Sequence, residues 1–301
     1  MSEQLAREIR PSELSDNCIC CGSSMTARLV PWLKHCGQCD FWSSTLWDEE
    51  RWSKKLSALD ESARKKAIEN LRRENARTIL ARVSEFRKLV GADLVDVGCG
   101  YGWFLDEAKR MGLRVVGIEP EQRIAAEAKR LTGCQVLEGC FPEILPQGSA
   151  FDFISFNDVF EHLKDPKQAL EACYEFLKPG GILILNLPMS SGVFFKLATF
   201  LKGIGIENPL DRMWQRNFHS PHLSYFNQQN LSQLVTRHGF KLLNSSPLKS
   251  ITLEGMSERV AMDGTTSPLI SKLFGLALTL LYFPLSKMPA DITLQLYRKE
   301  N

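Results

Sequence analysis

The sequence predicts a doubly wound α/β domain with a mostly parallel sheet, preceded by a small four-cysteine module. Three observations carry this reading. From residue 91 onward, short apolar runs alternate with stretches of helical periodicity, the pattern of a parallel sheet with crossover helices. The first run, "LVDVG", leads straight into "CGYGWFL", so Gly98, Gly100 and Gly102 stand in the turn between a strand and a helix. Ahead of it, Cys18, Cys21, Cys36 and Cys39 form two C-x-x-C pairs separated by fourteen residues.

The cysteine module comes first and occupies 16–45. Each pair can set two thiolates on one face of a tight turn, where Gly22 and Gly37 permit backbone conformations that other residues resist. Four thiolates complete a closed tetrahedral shell with no position left for substrate, so the expected metal is a structural zinc. Cys20 is a surplus thiol that breaks the two-residue spacing. The N-terminal stretch "MSEQLAREIRPSELSDN" has no apolar core of the kind a secretory signal needs, so the expected compartment is the cytoplasm. The nine cysteines are then thiols or metal ligands rather than disulfides.

A connector over 46–90 follows. Between Arg51 and Lys88 it carries twelve Lys or Arg against five Asp or Glu, in a chain of net charge +2. Leu56, Leu59, Ile68, Leu71, Ile79, Leu80, Val83 and Phe86 recur mostly at helical steps, which predicts an amphipathic helix with a solvated charged face. A functional reading of the same charge is attraction of an anionic substrate, RNA or an acidic membrane surface.

The large domain spans 91–301. "LVDVG", "YGWFLDEAKRMG" and "RVVGIE" make a strand, helix and strand, and the glycines between the first two free the backbone for a ligand at the helix N-terminus. The dinucleotide fingerprint G-x-G-x-x-G would need a glycine where Trp103 stands, and here the order is G-x-G-x-G. Glu119 closes the second strand, where a carboxylate can accept hydrogen bonds from both ribose hydroxyls.

Further on, "FDFISFNDVFEHLKDP" precedes "ALEACYEFLKPGGILILNLP". Together with "VDVGCGYG" and "VVGIE", these segments make 94–188 resemble the class I S-adenosylmethionine-dependent methyltransferases, whose fold is a Rossmann-like sheet of seven strands. A fainter match, "PHLSYFNQQNLSQLVTRHGF", resembles the late active-site segment of small-molecule members, and similar four-cysteine ribbons occur in some bacterial relatives. The resemblance implies that Gly98, Cys99, Gly100, Tyr101 and Gly102 meet the methionyl end of the cofactor, that Asp96 orders the loop and that Glu119 holds the ribose. Cys140 and Phe141 occupy the region that usually supplies an Asp to the adenine edge. Asn157 is expected near the reactive end.

A sulfonium cofactor brings its own leaving group, so the protein must align the acceptor and manage one proton. His162, after the fourth strand, and His222, opening the late segment, are the candidate bases, whereas His35 and His238 read as structural. Asp158, Glu161 and His162 share one face if their turn is helical and could bind a second metal. The simpler reading is that they line the pocket.

The stretch 189–220 reads as a lid, in which Phe194, Phe195, Phe200 and Trp214 either shape an apolar acceptor site or pack the lid itself. "DITLQLYRK" alternates as a closing edge strand should. The apolar run within 269–286 is too short for a membrane span and leaves peripheral membrane contact as a minor reading. The expected function is methyl transfer to oxygen or carbon of a small-molecule acceptor: a sugar, a quinone-like compound or a secondary metabolite. The alternatives are an RNA methyltransferase using ribbon and basic helix, and a cofactor-binding protein without catalysis. "NDVF" in place of an Asn/Asp-Pro-Pro-aromatic turn, and the lack of an aromatic-basic module, argue against nucleic acid.

Overall fold

The structure, a computed structural model, describes residues 16–47, 61–206, 208–216, 218, 220–250 and 290–300. Leu56, Leu59, His219 and the apolar run within 269–286 lie outside that set. No helix among the described residues is long and apolar enough to cross a membrane.

The N-terminal strands β1 (Thr26–Arg28), β2 (Val30–His35) and β3 (Trp42–Ser44) pair antiparallel, one cysteine turn preceding β1 and the other joining β2 to β3. The turns close alike: Gly22 N donates to the Cys18 carbonyl at 2.8 Å and Asp40 N to the Cys36 carbonyl at 2.9 Å. Gly22 (φ 82°) takes the left-handed conformation expected of it. In the second turn Asp40 (φ 59°) does so, not Gly37, because the bend falls after the second cysteine of each pair. The Asp40 carboxylate is anchored there by His35 Nε2 at 2.8 Å and Trp42 Nε1 at 3.2 Å.

Helix α1 (Glu61–Ser84) buries Leu71, Ala76, Ile79, Leu80 and Val83 on the face its periodicity selects. Its charged face is not simply solvated. Arg73 pairs with Glu69, Asp106 and Glu107, Arg77 with Glu107, and Arg72 with Asp158. The helix is thereby tied across the large sheet.

That sheet begins with β4 (Asp93–Val97), followed by α2 (Trp103–Arg110), β5 (Arg114–Glu119), α3 (Gln122–Thr132) and β6 (Gln135–Glu138). The chain then crosses back to β7 (Phe151–Asn157), α4 (Pro166–Phe176) and β8 (Leu177–Pro188). All pairings among these five strands are parallel, and Val95, Ile154 and Leu183 at its centre are fully buried. Helices α5 (Val193–Gly203) and α6 (Asn208–Met213), the short β9 (Ser224–Tyr225) and α7 (Gln228–Thr236) lead to the last strands, β10 (Phe240–Leu248) and β11 (Ile292–Lys299).

The seven-stranded order is β10-β11-β8-β7-β4-β5-β6, with β10 and β11 antiparallel to their neighbours. The doubly wound class expected from the sequence is therefore the observed one. One strand departs from its expected place. β11 is not an edge: it lies between β8 and β10, and residues 293–297 are all buried. Its polar residues imitate an alternating edge because they are satisfied internally, Gln295 Nε2 donating to the Gln228 carbonyl at 3.0 Å and Tyr297 Oη to Gln295 Oε1 at 2.5 Å.

A second finding joins the two parts of the chain. β9 pairs antiparallel with β3, Trp42 opposite Tyr225 and Ser43 opposite Ser224, giving the four-stranded order β1-β2-β3-β9. Behind it Leu33, Trp42, Phe195, Leu210, Trp214 and Tyr225 form one buried cluster. Phe195 and Trp214 are therefore packing residues between 189–220 and the cysteine module, whereas Phe200 is exposed.

Candidate functional site

In the large sheet the connections run outward from β4 to β6 and then return to β7, so a crevice opens at the carboxyl ends of β4 and β7. The glycine loop lies there. Gly98, Gly100 and Gly102 have φ of 66°, 53° and 78°, the left-handed region open to glycine at little cost. The three serve different neighbours. A Cβ at Gly98 would stand 2.6 Å from Val159 Cγ2, and one at Gly102 would stand 2.8 Å from Thr132 Cγ2, so both admit protein packing. A Cβ at Gly100 would meet nothing within 4 Å, so this is the glycine that presents bare backbone to open space.

Glu119, at the end of β5, fastens that backbone. Its Oε2 accepts from Gly100 N at 3.0 Å and its Oε1 from Glu121 N at 3.0 Å. Burial raises its pKa, while the two N–H groups oppose the rise. Each oxygen keeps acceptor capacity for a ligand hydroxyl.

Asp96 does not bond the loop. Its Oδ1 accepts from Ser155 Oγ at 2.7 Å and Asn157 Nδ2 at 2.9 Å, because parallel register sets Asp96 opposite Ser155 on β7. Burial pushes its pKa up to about 7 against those two hydrogen bonds. The bond fixes the Asn157 amide and leaves its Oδ1 buried with no hydrogen-bond partner. Cys99 turns its thiol into the core, where a Cβ on Gly117 would meet it at 2.6 Å, so only its backbone faces the crevice. Tyr101 packs its ring against Trp103, centroids 5.4 Å apart. Cys140 is exposed, and Phe141 stands edge-on to Phe156 at 5.7 Å.

Beyond β7 the chain makes a tight 3-10 turn, Phe160–His162, rather than an α-helical one. Asp158 precedes it with φ 53° and is paired with Arg72, so Asp158, Glu161 and His162 do not converge as an α-helical face would make them. His222 takes the third place. Glu161 Oε1 lies 4.0 Å from His162 Nε2 and 3.9 Å from His222 Nε2, and the two imidazoles meet edge to face with centroids 4.7 Å apart. One carboxyl and two imidazoles within 4.8 Å form a donor set that can hold either a proton or a divalent cation.

Partners fix the ring tautomers. Tyr225 Oη donates its proton to the Met213 carbonyl at 2.9 Å, so His222 Nδ1, 3.1 Å away, is the donor, and His222 Nε2 accepts from the Gln215 amide at 2.9 Å. His162 Nδ1 likewise donates to the Pro221 carbonyl at 2.9 Å. Both unprotonated Nε2 atoms lie on the Glu161 side, the His222 one already accepting from Gln215. Burial pushes Glu161 up to about 8 and leaves its Oε2 without a hydrogen-bond partner, while burial and the neighbouring His162 hold His222 well below the usual histidine range. Sequence reading missed Tyr225 and Gln215. Only the spacing of Tyr225, three residues after His222 in "HLSY", gave a local signal.

In the cysteine module Cys18 Sγ and Cys39 Sγ are 3.5 Å apart, Cys21 Sγ and Cys36 Sγ 3.4 Å, and all four lie within 4.8 Å of one another. The Cys20 thiol, buried and pushed far up, donates to the Cys18 sulfur and holds it down at about 4. His35 and His238 are structural, the latter donating from Nδ1 to the Leu234 carbonyl at 2.8 Å.

Residues 67–245, more than half of the chain, match a family described as a methyltransferase domain, and the chain belongs to that family. It is 35% identical over 102 residues to the ubiquinone biosynthesis O-methyltransferase of Cereibacter sphaeroides, an alignment covering 32% of this chain and 41% of that protein. Against the first such relatives the chain spans about half of their length, 41%, 46% and 52%. Among solved structures, magnesium protoporphyrin IX methyltransferase from Synechocystis superposes with a TM-score of 0.52 at 11% identity, over 83% of this chain and 94% of that one. The [4+2]-cyclase SpnF superposes with a TM-score of 0.50 at 21% identity, over 75% and 81%. At these identities the likeness shows the class I S-adenosylmethionine-dependent methyltransferase fold, a fold that also carries other chemistry.

Proposed function

We propose that this chain transfers a methyl group from S-adenosylmethionine to an oxygen or carbon of a small-molecule acceptor: a sugar, a quinone-like compound or a secondary metabolite. One observation carries the reading. The open backbone of Gly100, fastened to Glu119, and the buried Glu161–His162–His222 cluster stand at the same carboxyl edge of one sheet.

When bound, the sulfonium supplies an activated methyl group with its leaving group attached. Gly98 to Gly102 receive the methionyl end, Glu119 the ribose hydroxyls, and the backbone at Cys140 and Phe141 the adenine edge. Asn157, oriented by Asp96, would offer its unpartnered Oδ1 near the reactive end. These residues fit the cofactor because Gly100 leaves an open cradle and Asn157 an orphaned buried acceptor. The acceptor's proton leaves toward His162 or His222, and at His222 it takes the place of the Gln215 amide on Nε2.

Arg72, Arg73 and Arg77 of α1 pair with the protein's own carboxylates, which supports a small acceptor over RNA. Cys18, Cys21, Cys36 and Cys39 hold a structural zinc in this reading. Sulfur separations of 3.5 and 3.4 Å need only slight expansion to the roughly 3.8 Å of a tetrahedral shell with zinc–sulfur bonds of about 2.3 Å. We divide the chain accordingly into ribbon (16–45), connector (46–90) and methyltransferase domain (91–301) with its lid near 189–220.

Calorimetry with S-adenosylhomocysteine tests the cofactor assignment. Gly100→Val should abolish the backbone approach, and Glu119→Ala should cost on the order of 1.5 to 3 kcal/mol, the value of hydrogen bonds to a charged group. Unchanged affinity in both variants would sink the assignment.

A further inference from the structure

Besides its ring contacts with Phe195 and Trp214, the four-cysteine ribbon is hydrogen-bonded to one segment, 222–237, at three places. Its middle strand contact is the β3–β9 pairing, where Ser44 N also donates to the Leu223 carbonyl at 2.9 Å. The buried Ser44 hydroxyl donates to the His222 carbonyl at 2.7 Å. At one end of α7 the capping-box residues Asn227 and Asn230 each donate a side-chain N–H to the Cys39 carbonyl at 3.0 Å. At the other end, Arg237 Nη1 donates to the Cys20 carbonyl at 2.7 Å. Each end of the helix thus grips one of the two cysteine turns. On its far side the segment is held by Leu223 N donating to the Glu161 carbonyl at 2.8 Å.

From this geometry we infer that the ribbon is a positioning element of the acceptor site, and that the joined cysteine turns fix the place of His222 opposite Glu161 through β3 and Ser44. The inference rests on the reading that His222 belongs to that site. Ser44 is the positioning residue. Ser44 is 2% exposed and its hydroxyl bonds a main-chain carbonyl of the histidine itself, so its removal leaves a buried acceptor unpaired where the ring must be aimed. The ribbon's inner face is bound into the same core. Met25, Cys36 and Phe41 pack in one cluster with Phe156, Phe160 and Phe226, and the Phe41 and Phe226 rings stand 5.0 Å apart. The cofactor loop is held independently of the ribbon. Gly98 to Gly102 and Glu119 are fixed by β4, β5 and their own hydrogen bonds.

The test uses full-length protein labelled with ¹⁵N-histidine, as isolated, after chelation, and as Ser44→Ala. The His222 ring is assigned by its loss in His222→Ala. In the protein as isolated its long-range ¹H–¹⁵N pattern should report a single Nδ1–H tautomer. In Ser44→Ala and after chelation that pattern should collapse toward averaged tautomers, while S-adenosylhomocysteine affinity by calorimetry stays unchanged. A His222 pattern that is the same in all three samples overturns the inference. If chelation also abolishes cofactor binding, the stripped protein has unfolded, and Ser44→Ala, which keeps all four thiolates, decides alone. Failure of His222 as a base would show instead as wild-type turnover in His222→Ala. That outcome withdraws the catalytic role and leaves the tautomer result standing.

Discussion

Gly98, Gly100 and Gly102 share a backbone conformation and differ in what surrounds them. Alanine at any of the three bears the strain of the left-handed conformation, about 1 to 2 kcal/mol, but only at Gly98 and Gly102 does it also strike Val159 or Thr132. We expect urea denaturation to show Gly98→Ala and Gly102→Ala less stable than Gly100→Ala, and equal losses at all three would contradict the packing described. The motif was legible because its residues lie within one short stretch. Which glycine faces a ligand was not, since Val159 and Thr132 reach the loop from distant elements.

Glu161 gives a pH signature at the same scale. It faces His162, His222, Tyr225 and, at longer range, Arg72, and burial raises it to about 8. The unfolded carboxyl loses its proton near pH 4 while the folded one keeps it. Stability is therefore fully present at low pH and falls as pH rises toward 8, by at most ~1.4 kcal/mol per pH unit for one proton. Asp96, raised to about 7, adds a slope of the same sign that ends earlier. Glu161→Gln should flatten the decline between pH 7 and 8, measured as unfolding free energy in urea; an unaltered slope would show that the group is ionised when folded.

The two histidines separate by the same logic. Loss of a general base lowers turnover by roughly 10² to 10⁴. An acidic limb near neutrality in the rate profile would not belong to His222, which burial and the neighbouring His162 hold well below the usual histidine range. His222→Ala should then leave such a limb in place, and a profile with its limb and rate intact in both alanine variants would assign the proton elsewhere.

Among elements, the strands β4, β5 and β7 and their crossover helices follow from local patterning, and their carboxyl ends place Glu119 and Asn157 without further information. The turn after β7 did not follow. Its i, i+3, i+4 spacing points to one α-helical face, but Asp158 takes the left-handed region and pairs with Arg72, and the residues that follow wind more tightly. His222 replaces Asp158 beside Glu161 through pairing of a short strand, β9, a contact no local pattern announces. The next helix is simpler. Asp165 caps α4, its Oδ1 accepting from Lys167 N and Gln168 N at 3.0 Å each, with Pro166 at the first helical position. Asp165→Ala should cost about 1 kcal/mol in urea denaturation, and a neutral result would show that water replaces the cap.

At the scale of the molecule, β11 illustrates why sheet order was harder to read than sheet content. Gln295 and Thr293 mark an edge in composition, yet internal hydrogen bonds let them lie in the second position of seven. Metal is the other whole-molecule matter. Freshly purified protein should carry about one zinc per chain, since a closed thiolate shell supplies folding free energy to the module that holds it. Elemental analysis finding none would refute the ribbon as a zinc site.

The shared sheet β1-β2-β3-β9 bears on how such a chain can be shortened or recombined. A cut after residue 45 looks natural along the sequence, because the cysteine module ends there and the nucleotide-fold pattern has not begun. In space the cut would strip β9 of its partner β3, uncover the rings of Phe226 and Tyr225, and leave Asn227, Asn230 and Arg237 aimed at carbonyls that are gone. A ribbon grafted from a relative would have to bring not only its four cysteines but also a strand edge that fits Ser224 and Tyr225. The unit that evolution or an engineer can exchange is therefore the ribbon together with 222–237, two stretches far apart in the chain that must be replaced as one piece.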